Sequence, residues 1–222
     1  MLSLSLPRLA AGLVLCLVLI TSPVHARSPF DPTLTSIPAN VQLPRWEHVA
    51  QQLVHELPLM RSCLAAVNAC TGPPLVAWRQ ALQGVADAPW QDRLSAVNLA
   101  VNRTPYHTDA AIYGTRDHWA TPLEFFTRNT GDCEDFAIAK YASLRLLGIP
   151  ASSMRILVVE DVRRNLAHAV LVVREGTHVW LLDNLDDQVR DYEDSPQYDP
   201  FYAVNEEERW LHRLPTGPLR SS

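Results

Sequence analysis

Lysine is almost missing from this chain: of 19 basic side chains only Lys140 is a lysine, a bias of composition rather than of function. Glycine is scarce as well, 8 in 222 residues beside 17 prolines and without a regular period, which excludes a collagen-like or linker protein. Positive charge is in deficit, the formal balance being -5, which argues against unaided nucleic-acid binding. No apolar run reaches the roughly 20 residues a membrane-spanning helix needs, and no His-x-x-x-His pair offers a helical zinc pattern. There is no internal repeat or low-complexity segment. What is present is 47% hydrophobic and 19% charged content, enough to bury one core and to read as one domain with extensions.

The N-terminus accounts for the first extension. Arg8 precedes the apolar run Leu9 to Ile20, and the small residues between Thr21 and Ala26 suit signal-peptidase cleavage, so residues 1–26 read as a signal peptide. An uncleaved anchor is the alternative, although the run is short for a span. Cleavage removes Arg8 and no acid, leaving 18 basic against 24 acidic side chains, about -6, on a periplasmic chain with no transmembrane span. Cys16 leaves with the signal, so Cys63, Cys70 and Cys133 remain. In an oxidising compartment, Cys63 and Cys70 read as a disulfide closing a small loop, with Cys133 left over. The alternative is one continuous helix, on which seven residues span about 10.5 Å, too far to bridge.

Residues 27–43 form an extended leader, and 44–222 the domain. Trp46, Val49, Leu53 and Leu57 define a first helix from Pro44, followed by Pro58. A second runs from Pro73-Pro74 to about Ala86, and a third from Trp90 to before Pro105. Residues 104–121 are loop-like, leading into a helical turn at Leu123 to Thr127. The clearest helix starts at Asp132 or Cys133 and ends near Leu147, with Gly148 as its C-cap. Then the period changes: Met154 to Val159, Ala167 to Val173 and His178 to Asp183 read as strands. Helices followed by an antiparallel sheet make the class α+β. In the acidic tail, Glu206 to Trp210 suggests a short helix. Tyr192, Tyr198 and Tyr202, near Asp186, Asp187, Asp191 and Asp194, suggest a docking surface or, as the safer reading, a solvated acidic edge.

Cys133 at a helix start enjoys unpaired backbone N–H groups and a dipole that favours thiolate. A two-residue turn at Glu175-Gly176 would put Val172 opposite Val179, Val170 opposite Leu181 and His168 opposite Asp183. His168 and Asp183 would then end one buried stripe, the carboxylate fixing an imidazole tautomer and leaving its other nitrogen for Cys133. The competing readings are a buried structural cysteine, a structural His–Asp pair, or a zinc site. Asp132, Glu134 and Asp135 crowd the cysteine and would oppose a thiolate unless neutralised. They suit either helix capping or a hard cation such as calcium. His48, His55, His107, His118 and His178 take the bland reading.

Gly131-Asp132-Cys133-Glu134-Asp135-Phe136-Ala137-Ile138-Ala139-Lys140-Tyr141, then His168 to Val172, then Leu182-Asp183-Asn184-Leu185, resembles the bacterial transglutaminase-like cysteine proteinase family. Val97-Asn98, Val101-Asn102, Tyr113-Gly114 and Asp117 to Pro122 extend the resemblance over roughly residues 44–200. The resemblance implies a papain-like or transglutaminase-like fold and a periplasmic, calcium-dependent endopeptidase of LapG type. Such enzymes release large surface adhesins by cutting near a di-alanine site in the adhesin's N-terminal region, and so promote biofilm dispersal. An inner-membrane cyclic di-GMP receptor restrains them. By position, Cys133 would be the nucleophile, His168 the base and Asp183 its orienter, while Asp132 and Glu134 would bind calcium. The Cys133 N–H would be one oxyanion donor. Trp119 would line the cleft or simply pack. Two alternatives remain: a transglutaminase-type acyltransferase, and an inactive calcium-dependent binding module.

Overall fold

A computed structural model describes residues 28–213, and the expected signal peptide lies outside these residues. Helices come first: α1 (Pro44–Ala65), α2 (Pro73–Gln83), α3 (Trp90–Asn102), the single turn α4 (Asp109–Ile112), α5 (Pro122–Arg128) and α6 (Cys133–Leu146). One short strand, β1 (Thr35–Ser36), precedes them, and β2 (Met154–Asp161), β3 (Leu166–Glu175), β4 (His178–Asp183), β5 (Asp186–Asp191), β6 (Tyr198–Val204) and β7 (Arg209–Leu211) follow. The strands form one antiparallel sheet in the order β1-β7-β6-β2-β3-β4-β5. The class is α+β, as expected.

Pattern explains most of these elements. Proline at the start of α1, α2 and α5 costs no hydrogen bond, because first-turn N–H groups have no partner in the helix. α1 does not stop at Pro58. It continues to Ala65, since the bond Pro58 cannot donate would fall on Val54, a 70% exposed residue whose carbonyl can turn to water. Ser62 Oγ donates back to the Pro58 carbonyl at 3.0 Å. Because the helix ends there, the chain turns and Cys63 and Cys70 close a disulfide with Cα atoms 4.5 Å apart. The loop reading of these cysteines is borne out against the continuous-helix one.

α6 is buried almost all round, from Cys133 to Leu144, and sits between the other helices and one face of the sheet. Phe136, Ile138, Tyr141 and Leu144 meet Leu171, Val173 and Leu182 in the main core. The opposite face of the sheet carries a second core of Leu157, Val159, Val170, Val172, Leu181, Tyr192, Tyr198 and Trp210. Phe30, from the leader, belongs to this second core, fastened by the Arg155 guanidinium stacked 4.6 Å from its ring centroid.

Three expectations change. The β3–β4 turn is Gly176-Thr177, with Gly176 at φ 61, a conformation glycine adopts without strain. The register follows: Val172 lies opposite Leu181 and Leu171 opposite Leu182. The slip is two residues, so every side chain keeps its face. Second, Glu206 to Trp210 is not helical, and Arg209–Leu211 instead pairs with both β6 and β1. Third, Tyr192 and Tyr198 are buried under the sheet rather than displayed for docking. The acidic edge is real, because β5 is the outermost strand.

Candidate functional site

Asp132 occupies the N-cap position of α6, so Cys133 is the first residue inside the helix. Asp135, three residues on, takes the capping work: its Oδ2 accepts from Asp132 N at 3.1 Å and its Oδ1 from Ala120 N at 2.7 Å. Gly131 admits this arrangement, since an added Cβ would lie 2.7 Å from Asp135 Oδ2 and 2.8 Å from Phe125 Cδ2. The Cys133 thiol donates to Glu134 Oε2 at 3.1 Å.

Cys133 and His168 line one cavity of about 360 Å³. Its walls are Trp46 and Trp119, packed edge to face at 6.5 Å, and small residues Ala167 and Ala169 with Val158 and Tyr202 extend it along β3, β2 and β6. Both indole N–H groups are spoken for: Trp46 donates to the Asn205 carbonyl and Trp119 to Asp117 Oδ1. Trp119 therefore both packs and lines the cavity.

Behind His168 the polar groups are fully matched. His168 Nε2 meets Asp183 Oδ1 at 2.9 Å, and both residues are buried. Leu185 N donates to the same oxygen at 3.0 Å, and the Tyr198 hydroxyl donates to Asp183 Oδ2. Although burial alone would raise it, the His168, Tyr198 and Leu185 donors hold the Asp183 carboxyl below the usual carboxylate range. With Nε2 engaged, Nδ1 is the imidazole nitrogen left for chemistry. By sequence Tyr198 belongs to the acidic tail. Nothing in its spacing announced this contact, fifteen residues from Asp183 and across a strand.

In front of Cys133 the balance reverses. Asp109, Asp132 and Asp135 bring carboxylate oxygens within 4.8 Å of one another, and so do Asp109, Asp117 and Glu134. Burial raises all four interior carboxyls: Asp132 to about 6, Asp135 to about 8, Glu134 well above its ordinary value, and Asp109 in the same direction. Asp109 Oδ1 and Asp132 Oδ1 are buried without a hydrogen-bond partner. Asp132 and Asp135 cap the helix reciprocally, and the orphaned buried oxygens that Asp109 and Asp132 still carry in an all-carboxylate set fit a hard divalent cation. Sequence singled out Asp132 and Glu134. Asp109 and Asp117 sit 23 and 15 residues before Asp132, on a connection where no periodicity marks them.

Three other histidines do ordinary work: His118 pairs with Glu124 at 3.1 Å, His107 with Thr130 at 2.9 Å, and His178 stacks on Trp180.

Legionella pneumophila LapG is similar at 29% identity over 70% of this chain and 87% of that one, with a TM-score of 0.60. The calcium-bound form of that protein matches at 28% identity over 73% and 87%, TM-score 0.59, and the EGTA-treated form at 29% over 70% and 84%, TM-score 0.60. No curated protein matches the chain. The family model described as bacterial transglutaminase-like cysteine proteinase matches residues 60–213, which include Cys133, His168 and Asp183. The chain belongs to the bacterial transglutaminase-like cysteine proteinase family.

Proposed function

We propose that the protein is a periplasmic, calcium-dependent cysteine endopeptidase that cuts the N-terminal region of a large surface adhesin and thereby promotes biofilm dispersal. The observation that carries the reading is the buried His168–Asp183 hydrogen bond through Nε2, beside a helix-start cysteine in the same cavity. In this reading His168 Nδ1 takes the Cys133 proton, and Asp183 holds the ring and stabilises the imidazolium. The thiolate attacks a backbone carbonyl carbon. The negative oxygen so formed is met by the Cys133 N–H, at the positive end of the α6 dipole. Collapse breaks the C–N bond as His168 returns the proton to the amine, leaving a thioester. Water, deprotonated by His168, then releases the acid and restores the thiol.

Asp132 and Glu134, joined by Asp109 and Asp117, would hold calcium. The ion would supply positive charge where four carboxylates otherwise oppose ionisation of Cys133. Support comes from the orphaned oxygens and from similarity to a protein known in calcium-bound form. Periplasmic location rests on Leu9 to Ile20 and the small residues after it. An inner-membrane cyclic di-GMP receptor as restraining partner rests on the family resemblance.

The test is cleavage of an N-terminal adhesin fragment by residues 27–222, with calcium or chelator, beside Cys133→Ala. Calcium-dependent cutting that the variant lacks is expected. Cutting that survives Cys133→Ala would refute the nucleophile. Incorporation of a labelled amine without new termini would move the protein to the acyltransferases, and failure of an electrophile to label Cys133 would make it a binding module.

A further inference from the structure

We propose that Asn98 and Asn102 form a clamp on the β4–β5 turn that positions Asp183 against His168, a role that rests on the catalytic reading of Asp183 and His168. Strand pairing alone does not bring them together. Extending the β3–β4 register puts Asp183 opposite Val170, so His168 is its diagonal neighbour. Diagonal pairs are farther apart than facing ones and need a side chain held at full reach. Asp183 is also the last residue of β4, at a break in the β4–β5 register, where the ladder constrains it least.

α3 supplies what the ladder does not. Asn102 Nδ2 donates to the Asp183 carbonyl at 3.0 Å and to the Asp186 carbonyl at 3.1 Å, and Asn98 Nδ2 donates to the Asp186 carbonyl at 2.8 Å. Four residues apart, the two amides share one helix face and together grip both ends of the β4–β5 turn. Asn98 is fully buried, an unusual place for an amide without such a task.

The measurement is the ring N–H resonance of His168 that its hydrogen bond to Asp183 shifts downfield, followed in histidine-labelled full-length mature protein. It needs no substrate. Asn98→Ala and Asn102→Ala are compared with the unaltered protein, and kcat on the adhesin fragment is normalised to active sites titrated with an irreversible thiol reagent. Both variants are expected to lose or move the resonance upfield. Both are also expected to lower kcat per titrated site by at least about tenfold, with KM nearly unchanged, as misplacement of a catalytic group does. A role confined to stability would lower the titratable fraction and leave the resonance and kcat per site intact, which would overturn the proposal. If Asn98→Ala does not fold, Asn102→Ala decides alone, since it removes hydrogen bonds to two backbone carbonyls and to the Asp187 carboxylate but no charge. Should Asp183→Asn leave both kcat and the His168 resonance untouched, the catalytic reading falls first.

Discussion

The two sides of Cys133 are built on opposite principles. On the His168 side, Asp183 is saturated with donors from a ring, a hydroxyl and a backbone amide, and its charge is favoured. On the Asp132 side, four buried carboxyls face each other, two of their oxygens have no partner, and their charge is disfavoured. The same residue type is stable as an anion in one place and costly in the other, because in the first every carboxylate oxygen has a donor and an imidazole stands beside it, while in the second several carboxyls share one buried space with fewer donors than oxygens. One half of the site is finished by the chain itself. The other half asks for a cation.

The sharpest break in this comparison removes what both halves serve. Cys133→Ala should lower adhesin cleavage by on the order of 10⁴-fold or more, read as product per hour against calcium-loaded protein. Next, Asp183→Asn should cost about 10² to 10⁴ in kcat and also destabilise, because it strips a matched group of its charge. Asp132→Asn with Glu134→Gln should act with the opposite sign on stability: in chelator the melting temperature rises by a few degrees, roughly what 1 kcal/mol gives, while calcium stimulation disappears. A fall in melting temperature would mean that the acidic half is already satisfied.

A pH titration sharpens the same contrast. Groups with raised folded-state values bind more protons folded than unfolded, so they stabilise at low pH and lose that contribution as pH rises through those values. For Asp132 the loss runs from the ordinary 3.8 up to about 6 and for Asp135 from 3.8 up to about 8. In chelator, melting temperature should therefore decline between about pH 4 and 8, a decline that added calcium flattens. A flat profile in chelator would remove the charge argument. The smallest effect belongs to Tyr198→Phe, which deletes one of three donors to Asp183 and should lower kcat by about tenfold or less, the worth of a single hydrogen bond.

Sequence exposed the elements whose signal is local. α6 with its cap, the glycine-led hairpin and the apolar strands all follow from period and turn chemistry, and so do Cys133, His168 and Asp183. The two-residue slip in the hairpin was harmless, because pairing alternates and an even shift preserves the face. β6 and β7 were hidden: Pro200 interrupts one near a bulge, and three glutamates disguise the approach to the other as a helix. Tyr198, Asp109 and Asp117 were illegible for a different reason. Each acts across the fold, and a contact between distant segments leaves no local spacing to read.

The fastening of the leader has a consequence for when the protein comes to exist. β1 pairs with β7, Arg155 donates to the Pro29 carbonyl and stacks on both Phe30 and Trp210, and Trp46 in the cavity wall donates to Asn205. The earliest segments of the chain have no seat until the latest ones arrive, so a nascent fragment that already contains Cys133, His168 and Asp183 still lacks the wall of its cavity. Such long-range closure is slow to form. A chain cut before β6 should therefore show no activity on the adhesin fragment.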